Sequence, residues 1–423
     1  MNQALDQLVH ASKNHSSCGA EQDLISVDEA LALIMQTPQT LGTEYLPLSQ
    51  ALHRYLAEPI YSQIDLPLFT QSAVDGYAIC SDVEITEGSK FELVGEVRAG
   101  ERCSQDLAVG QAMRIFTGAQ IPASTITVAR QEIVQVEANY IRLNTDLSRH
   151  ADIRDIGEEI SSGQCLAEQH QYLSVGAIAA LSMAGVQKLR VYRQAKIVVV
   201  ITGDEVAESV EDLSSGKIFD ANAPLIKAWF QAKNLLVEIL HVADSAQAVA
   251  SLFDHLKNNY DLILTTGGVS VGDYDFVRPV ALNLGFQQIF WKVKQKPGKP
   301  MLFADYARED QSHCYLLGLP GNPAAVFVGM QIYVSTLLNA LQAQRKQPEW
   351  FSGLIQHDLK ADSRERFLRM SAEFKQGQIL INSLSKQQSH MLSNLMHANC
   401  LIRIPANQNV KAGDILQGCW ILD

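Results

Sequence analysis

The apolar positions of this chain change period several times, and each change marks a boundary between kinds of structure. Residues 27–36, VDEALALIMQ, repeat apolar side chains at three- and four-residue spacing, which predicts a helix, and Leu46 to Leu56, entered through Pro47 and Ser49, predicts a second. From Tyr61 to about Gln171 the repeat shortens. FELVGEV, AMRIF, TITVA, IVQVEA and YIRLN alternate and are parted by Gly, Pro and Asn clusters, which predicts a β-rich domain over 61–163. Ser174 to Ala184 returns to helical spacing between an N-capping serine and Gly185, so 26–60 and 164–190 together are expected to form a linking α/β domain.

Between Val191 and Ala343 strand and helix patterns alternate: KIVVVIT, then Pro224 to Lys233, LLVEILHV, Ala246 to Lys257, DLILTT, and Tyr315 to Leu319 followed by a helix from Pro323. Strands separated by helical patterns require crossovers, so 191–345 is predicted to be a mostly parallel α/β sandwich domain. Past Pro348 short strand-like pieces return, HDLKA, EFKQG, QILINSL, CLIRIPA and AGDILQG, which fit a small C-terminal β-barrel over 346–423. The fold class is therefore α/β plus β, with the β-rich domains towards the N-terminus. Residues 1–25 are polar and are expected to form a flexible leader.

Composition narrows the function classes. At 423 residues and 47% apolar content the chain has material for several cores, and its longest apolar runs, such as Ile197 to Ile201, fall well short of the roughly 20 residues a membrane span needs. The N-terminus lacks the basic start and apolar stretch of a secretory signal, so a cytoplasmic setting is expected, with no membrane partner. Seven scattered cysteines without a CxxC pair indicate neither a zinc knuckle nor a disulfide framework. A net charge of −12 disfavours nucleic acid, yet a small anion can be held by a local cationic cluster or by a divalent cation bridging to carboxylates.

Three loops follow predicted parallel strands, the place where ligands bind in open α/β sheets: TGDE at 202–205, TTGGVSVGDYD at 265–275 and LPGNP at 319–323. They offer Gly267 and Gly268 for tight turns, the hydroxyls of Thr266 and Ser270, the carboxylates of Glu205, Asp273 and Asp275, and, after Pro320 and Gly321, a helix N-terminus at Asn322 whose free N–H groups suit an anion. Each loop alone reads equally well as a tight turn; their coincidence is more specific. WKVKQKPGKP places Lys292, Lys294, Lys296 and Lys299 within nine residues, and strand alternation sends the first three to one side, a candidate grip for phosphate or oxyanion in an acidic chain. Upstream, LPLFTQSAVDGYAI puts Asp75 in a turn, RIFTGAQIP supplies Thr117, and DIRDIGEEI supplies Arg154, Glu158 and Glu159. The histidines lack ligand spacing, and no Ser-His-Asp nucleophile is evident. Carboxylates beside lysines suggest Mg²⁺ on oxygen ligands, acting on a phosphate-bearing substrate.

Taken together, FTQSAVDGYA, RIFTGA, DIRDIGEEISSG, VVITGDE, TTGGVSVGDYDF, WKVKQKPGKP and GLPGNPA stand in the order found in MoeA-type molybdopterin molybdenumtransferases, and the chain resembles that family, and the gephyrin E domain, over residues 25 to 423. The resemblance implies an α/β domain related to the molybdopterin adenylyltransferases, and an elongated homodimer whose cleft combines that domain of one subunit with the β-rich domains of the other. It implies an enzyme that takes adenylylated molybdopterin and molybdate, cleaves the adenylate with Mg²⁺ assistance, and releases molybdenum cofactor and AMP. Molybdopterin adenylyltransferase and apo-molybdoenzymes are the implied partners. Carried over by motif are Asp75, Thr117, Glu205, Asp244, Asp275, Lys292, Lys296 and Lys299, with Arg369 in FLR and Ser389 in QSH from the C-terminal domain. Asp75 and Asp275, with Glu159, are the implied Mg²⁺ ligands. Glu159 and Thr70 stand where the family favours aspartate, which puts the carboxylate reach of Glu159 and the turn at Thr70 in question. Two other functions remain open at this point: adenylyl transfer, against which the flanking β-rich domains argue, and a non-catalytic scaffold like the gephyrin E domain.

Overall fold

The computed structural model describes residues 24–203, 217–270, 272 and 275–421, so Glu205, Asp273 and the leader up to residue 23 lie outside the described residues. The chain divides into two compact units, Tyr45–Val191 and the combination of Met1–Glu44 with Tyr192–Asp423.

The larger unit begins with α1 (Val27–Gln36), where Ser26 and Glu29 form a reciprocal capping box and Val27, Ala30, Leu31 and Ile34 make one buried face. A six-stranded sheet follows from β1 (Ile197–Thr202), β2 (Glu238–Val242), β3 (Leu262–Thr266), β4 (Gln287–Trp291), β6 (Leu302–Ala307) and β7 (His313–Leu319), with the short β5 (Gln295–Lys296) between β4 and β6. Its order is β2-β1-β3-β7-β6-β4. The first four strands are mutually parallel, and β6 and β4 extend the sheet in antiparallel fashion. All residues of β1 and β3 are buried, the reason these strands read as unbroken β-branched and aliphatic runs. One face packs under α2 (Asn222–Ala232), α1 and the helical path from Pro323, the other under α3 (Ala246–Leu256) and α4 (Val277–Asn283).

The helical path from Pro323 runs as α5 (Pro323–Gly329), a wide π turn (Met330–Val334) and α6 (Ser335–Leu341). Over its 19 residues it is long and apolar enough to cross a membrane, but 83% of its most apolar 18-residue stretch is buried inside the protein, as expected of a core helix. The sequence survey of apolar runs had not reached it, because Asn339, Gln331 and Ser335 interrupt the run.

The barrel closes through β8 (Phe351–Ile355), β9 (Glu365–Lys375), β10 (Gln378–Ser383), β11 (Cys400–Ile404) and β12 (Ile415–Trp420): the order β9-β10-β8-β12-β11 returns to β9. Ile355, Met370, Ile381, Ile402 and Ile404 fill it. The lysine segment reaches the barrel directly, since β5 pairs in parallel with the start of β9, Gln295 opposite Glu365 and Lys296 opposite Arg366. HDLKA, expected as a strand, supplies only a single bridge residue, Leu359 opposite Val410.

The smaller unit is built on a second six-stranded sheet, ordered Thr127–Arg130, Gly76–Ile79, Gln111–Ile115, Lys90–Val97, Tyr140–Leu143 and Val134–Glu137. Its two faces carry separate apolar clusters. The helix expected over Leu46 to Leu56 is absent: a strand reaches Pro47 and one 3-10 turn spans Leu48–Gln50. Leu48, Ala51 and Leu56 are buried there without forming a continuous helix, because Tyr55 and Leu56 leave to make bridges with Tyr172 and Val191. Ser174 does cap the helix Val175–Met183, accepting from the Ala177 N–H at 3.2 Å.

Candidate active site

The parallel strands bring the expected loops to one edge. Thr202 is opposite Val242, Ile201 opposite Thr266, and Thr266 opposite Leu319, so the chain leaves β1, β2, β3 and β7 on the same side. Gly267 and Gly268 follow β3 with φ of +85° and +66°, and a Cβ on them would stand 2.6 Å from Thr202 Oγ1 and 2.6 Å from Val277 Cγ2. The glycines thus serve close packing as well as left-handed geometry. The glycine loop is held from below by Trp291, whose indole N–H donates to the Val269 carbonyl at 2.9 Å. Ser270 is exposed on that loop. Asp275 closes a local turn: its Oδ2 accepts from the Gly272 N–H at 2.6 Å. Asp244 stands half-buried two residues past β2, just before the Ser245 cap of α3. Asn222, which sequence reasoning passed over, reaches this edge as well; its Nδ2 donates to the Gly321 carbonyl at 2.8 Å, and Asp220 Oδ1 accepts from the Asn222 and Ala223 N–H groups.

A cavity of about 450 Å³ opens where the KPGKP turn, the LPGNP loop and the barrel meet; Lys296, Lys299, Pro320, Asn322 and Ser389 all line it. Arg364 and Arg366 line it too, and no carboxylate does among the described residues. The cavity therefore concentrates positive charge inside an acidic protein. Lys296 is partly spent, its ammonium 2.9 Å from Asp362, and this contact lowers the pKa of Asp362. Arg366 hydrogen-bonds the Lys360 carbonyl through one terminal nitrogen, while its Nε is buried with no partner among the described residues.

Three expectations need correction. Alternation does bury Trp291, Val293 and Gln295 and turn Lys292, Lys294 and Lys296 outwards, but of these three only Lys296 lines the cavity; the Lys292 ammonium stacks 3.7 Å from the Trp291 ring centroid, opposite a ring also covered by Arg278 at 4.0 Å. The helix N-terminus at Asn322 has few free donors: Pro323 has no N–H, Ala324 donates to the Ser389 carbonyl at 3.1 Å, and Ala325 to the Asn322 carbonyl at 2.9 Å. Asn322 makes no side-chain cap bond and lines the cavity. Arg369 is 2% exposed and does not line the cavity. Its guanidinium donates to the carbonyls of Met391, Lys386 and Gln388 at 2.7, 3.1 and 3.2 Å, fixing the loop that carries Gln387, Gln388 and Ser389 into the lining. Burial pushes its pKa down.

In the smaller unit three motifs expected to act together are in contact. Asp75 Oδ1 accepts from both the N–H and the hydroxyl of Thr117, each at 2.8 Å. These two bonds, the backbone one first, hold the exposed Asp75 carboxyl below its ordinary pKa, with a smaller contribution from Arg114. The DIRDIGEEI segment pairs with the strand before Asp75, Ile153 opposite Ser72 and Arg154 opposite Gln71, and the Ala73 N–H donates to the Asp152 carbonyl at 2.8 Å. Arg130 grips Asp152 in a fork, 2.7 and 2.8 Å, a pair unmarked by any motif. Glu159 is exposed on this segment, its N–H donating to the Leu66 carbonyl at 2.9 Å. Among the described residues no three His, Cys, Asp or Glu side chains converge as a metal site.

Comparison with known proteins agrees with this architecture. Residues 25–185 match the MoeA N-terminal region (domain I and II), 198–340 the probable molybdopterin binding domain, and 354–417 the MoeA C-terminal region (domain IV). The chain is 33% identical over 410 residues to a molybdopterin molybdenumtransferase of Haemophilus influenzae, covering 92% of this chain and 97% of that one. It is 31% identical over 402 residues to one of Staphylococcus epidermidis, covering 93% and 94%. The solved molybdopterin biosynthesis moeA protein of Pyrococcus horikoshii shares the fold with a TM-score of 0.77 at 24% identity, over 93% of this chain and 99% of that chain. With the separate N-terminal, α/β and barrel regions all matched in order, this chain belongs to the MoeA family of molybdopterin molybdenumtransferases, enzymes of molybdenum cofactor biosynthesis.

Proposed function

We propose that the chain inserts molybdenum from molybdate into adenylylated molybdopterin with Mg²⁺-dependent release of AMP, acting in the cytoplasm as a homodimer, receiving its substrate from a molybdopterin adenylyltransferase and delivering cofactor to apo-molybdoenzymes. The observation that carries this reading is the cavity lined by Lys296, Lys299, Arg364 and Arg366 with no lining carboxylate among the described residues. A dianionic tetrahedral oxyanion gains charge-assisted hydrogen bonds there from guanidinium and ammonium donors, and Ser389 and Asn322 add neutral ones. Its volume of about 450 Å³ exceeds what one tetrahedral anion fills, leaving room for the phosphate-bearing end of the organic substrate.

The carboxylates fit a magnesium ion by chemistry: Asp75 uses only Oδ1 on Thr117, and Asp275 only Oδ2 on Gly272, so each keeps an oxygen without a donor among the described residues. Asp75 and Asp275, with Glu159, would hold it, and when bound it would supply charge neutralisation on the phosphates. Asp75 and Glu159 belong to one unit and Asp275 to the unit that carries the cations, so in the dimer proposed here Asp75 and Glu159 of one subunit would join Asp275 and the cations of the other. Thr117 keeps Asp75 ionised and oriented, and the lysines and arginines hold the oxyanion against the pterin end of the substrate. In an assay with adenylylated molybdopterin, molybdate and Mg²⁺, Asp75→Asn and Asp275→Asn should each lose most AMP release while remaining folded dimers. Near-normal rates in both would refute the roles assigned.

A further inference from the structure

Two polar side chains stand in the apolar core behind the lysine turn, Gln295 and Tyr333, both 0% exposed. Tyr333 lies on the π turn among Val326, Phe327, Met330, Ile332 and Val334. Its hydroxyl donates to Gln295 Oε1, and Gln295 Nε2 donates onward to the Gly298 carbonyl at 3.2 Å. The phenol, whose pKa burial drives well above the ordinary tyrosine value, stays a donor and so fixes which end of the amide faces the turn. Gly298 sits at φ +91°, and a Cβ there would come 2.8 Å from Gln295 Nε2, so the turn rests directly on the amide. Gln295 also offers its own carbonyl to Arg364 Nη1 at 3.4 Å.

Two apolar side chains of similar volume would fill the same space, and replacing both partners of a buried hydrogen bond is commonly neutral for stability, whereas removing one is costly. What the polar chain does contact is the Gly298 backbone between Lys296 and Lys299, the two lysines of the cavity; the Arg364 bond is made by the main-chain carbonyl of Gln295. We infer that Tyr333 and Gln295 are positioning residues for the reaction: they set the shape of the 296–299 turn, and with it the direction of the Lys296 and Lys299 ammoniums towards the oxyanion. This rests on the assignment of the cavity as the oxyanion site.

The test compares Tyr333→Phe, Gln295→Met, the double variant and Lys299→Ala in the full chain, by thermal unfolding, by calorimetric titration with molybdate, and by the molybdate KM and kcat of AMP release. Tyr333→Phe should lower the melting temperature, because Oε1 is left unpaired, and the double variant should recover most of the loss, the Gly298 carbonyl alone still lacking its donor. Molybdate affinity should nevertheless be about tenfold weaker in the double variant and in Gln295→Met, appearing mainly in KM, since the turn has lost its support. A merely structural pair would regain affinity together with stability. A double variant or Gln295→Met that binds molybdate like the wild type, while Lys299→Ala binds weakly, overturns the inference and leaves the cavity assignment standing. Unchanged binding in Lys299→Ala removes the cavity assignment and the inference with it.

Discussion

Arg369 separates two ways of building an anion site, and replacing it with methionine tells them apart. The motif that carries it implied a guanidinium in contact with substrate, while the structure gives it three carbonyl acceptors and no exposed surface to speak of. Hydrogen bonds from a charged donor contribute about 1.5–3 kcal/mol each, and removing the guanidinium leaves the carbonyls of Lys386, Gln388 and Met391 to be satisfied by water that must enter the loop. The relief of desolving a buried charge offsets part of this, and no carboxylate is among its partners. A net cost of about 3–5 kcal/mol follows for Arg369→Met. Lysine retains the charge but only one nitrogen, so Arg369→Lys should cost about half as much. Amide hydrogen exchange over residues 384–396 should quicken in both, and molybdate titration should weaken in proportion, as Ser389 and Gln388 lose their fixed places. An Arg369→Met protein with unchanged protection in that loop and abolished molybdate binding would make Arg369 a direct ligand and refute the clamp.

Two further outcomes test the smaller unit. The Thr117 bonds depress the folded pKa of Asp75, so its ionisation stabilises the fold above the unfolded value of about 3.9 and that contribution is lost as pH falls through the lower folded pKa. Thr117→Val removes the hydroxyl bond, so the Asp75 carboxyl should titrate at higher pH by NMR and the acid loss of activity should move upwards; an unmoved titration would show that the Thr117 N–H alone holds it. A Cβ on Gly76 would lie 2.0 Å from the Ala129 carbonyl oxygen, backbone against backbone. Gly76→Ala should therefore destabilise that unit by on the order of 4 kcal/mol in urea unfolding, and a loss below about 1 kcal/mol would mean that the strands separate easily.

Burial explains which elements could be read in advance. KIVVVIT and DLILTT are covered on both faces, so nothing but continuous apolar side chains suits them, and their pattern has one reading. Leu46 to Leu56 had too few apolar positions to choose between a helix and a strand followed by a turn, and its bridges to Tyr172 and Val191 are made with residues more than 110 positions away. The antiparallel strands Gln287–Trp291 and Leu302–Ala307 carry no separate signal in the sequence, where only the lysine segment between them reads as extended. In the cavity, Lys296, Lys299, Pro320, Asn322 and Ser389 were legible through motifs, whereas Arg364 and Arg366 belong to none. A two-residue period does not reveal them, because Arg366 shares its parity on β9 with the apolar Leu368, Met370 and Ala372, and Arg364 precedes the strand. Alternation read from the sequence puts Leu368, Met370, Ala372 and Phe374 on the apolar side and Arg369 with Ser371 and Glu373 on the polar one, so the burial of Phe367 and Arg369 becomes visible only in the structure.

The distribution of charge gives the arrangement its logic. Cations and carboxylates placed in reach of one another neutralise each other before substrate arrives, as Lys296 and Asp362 already do in part. Here the acid with the clearest preparation, Asp75, is kept ionised by Thr117 on one unit, and the four cavity cations are carried by the other, on a turn braced by Gln295 and a strand braced against it.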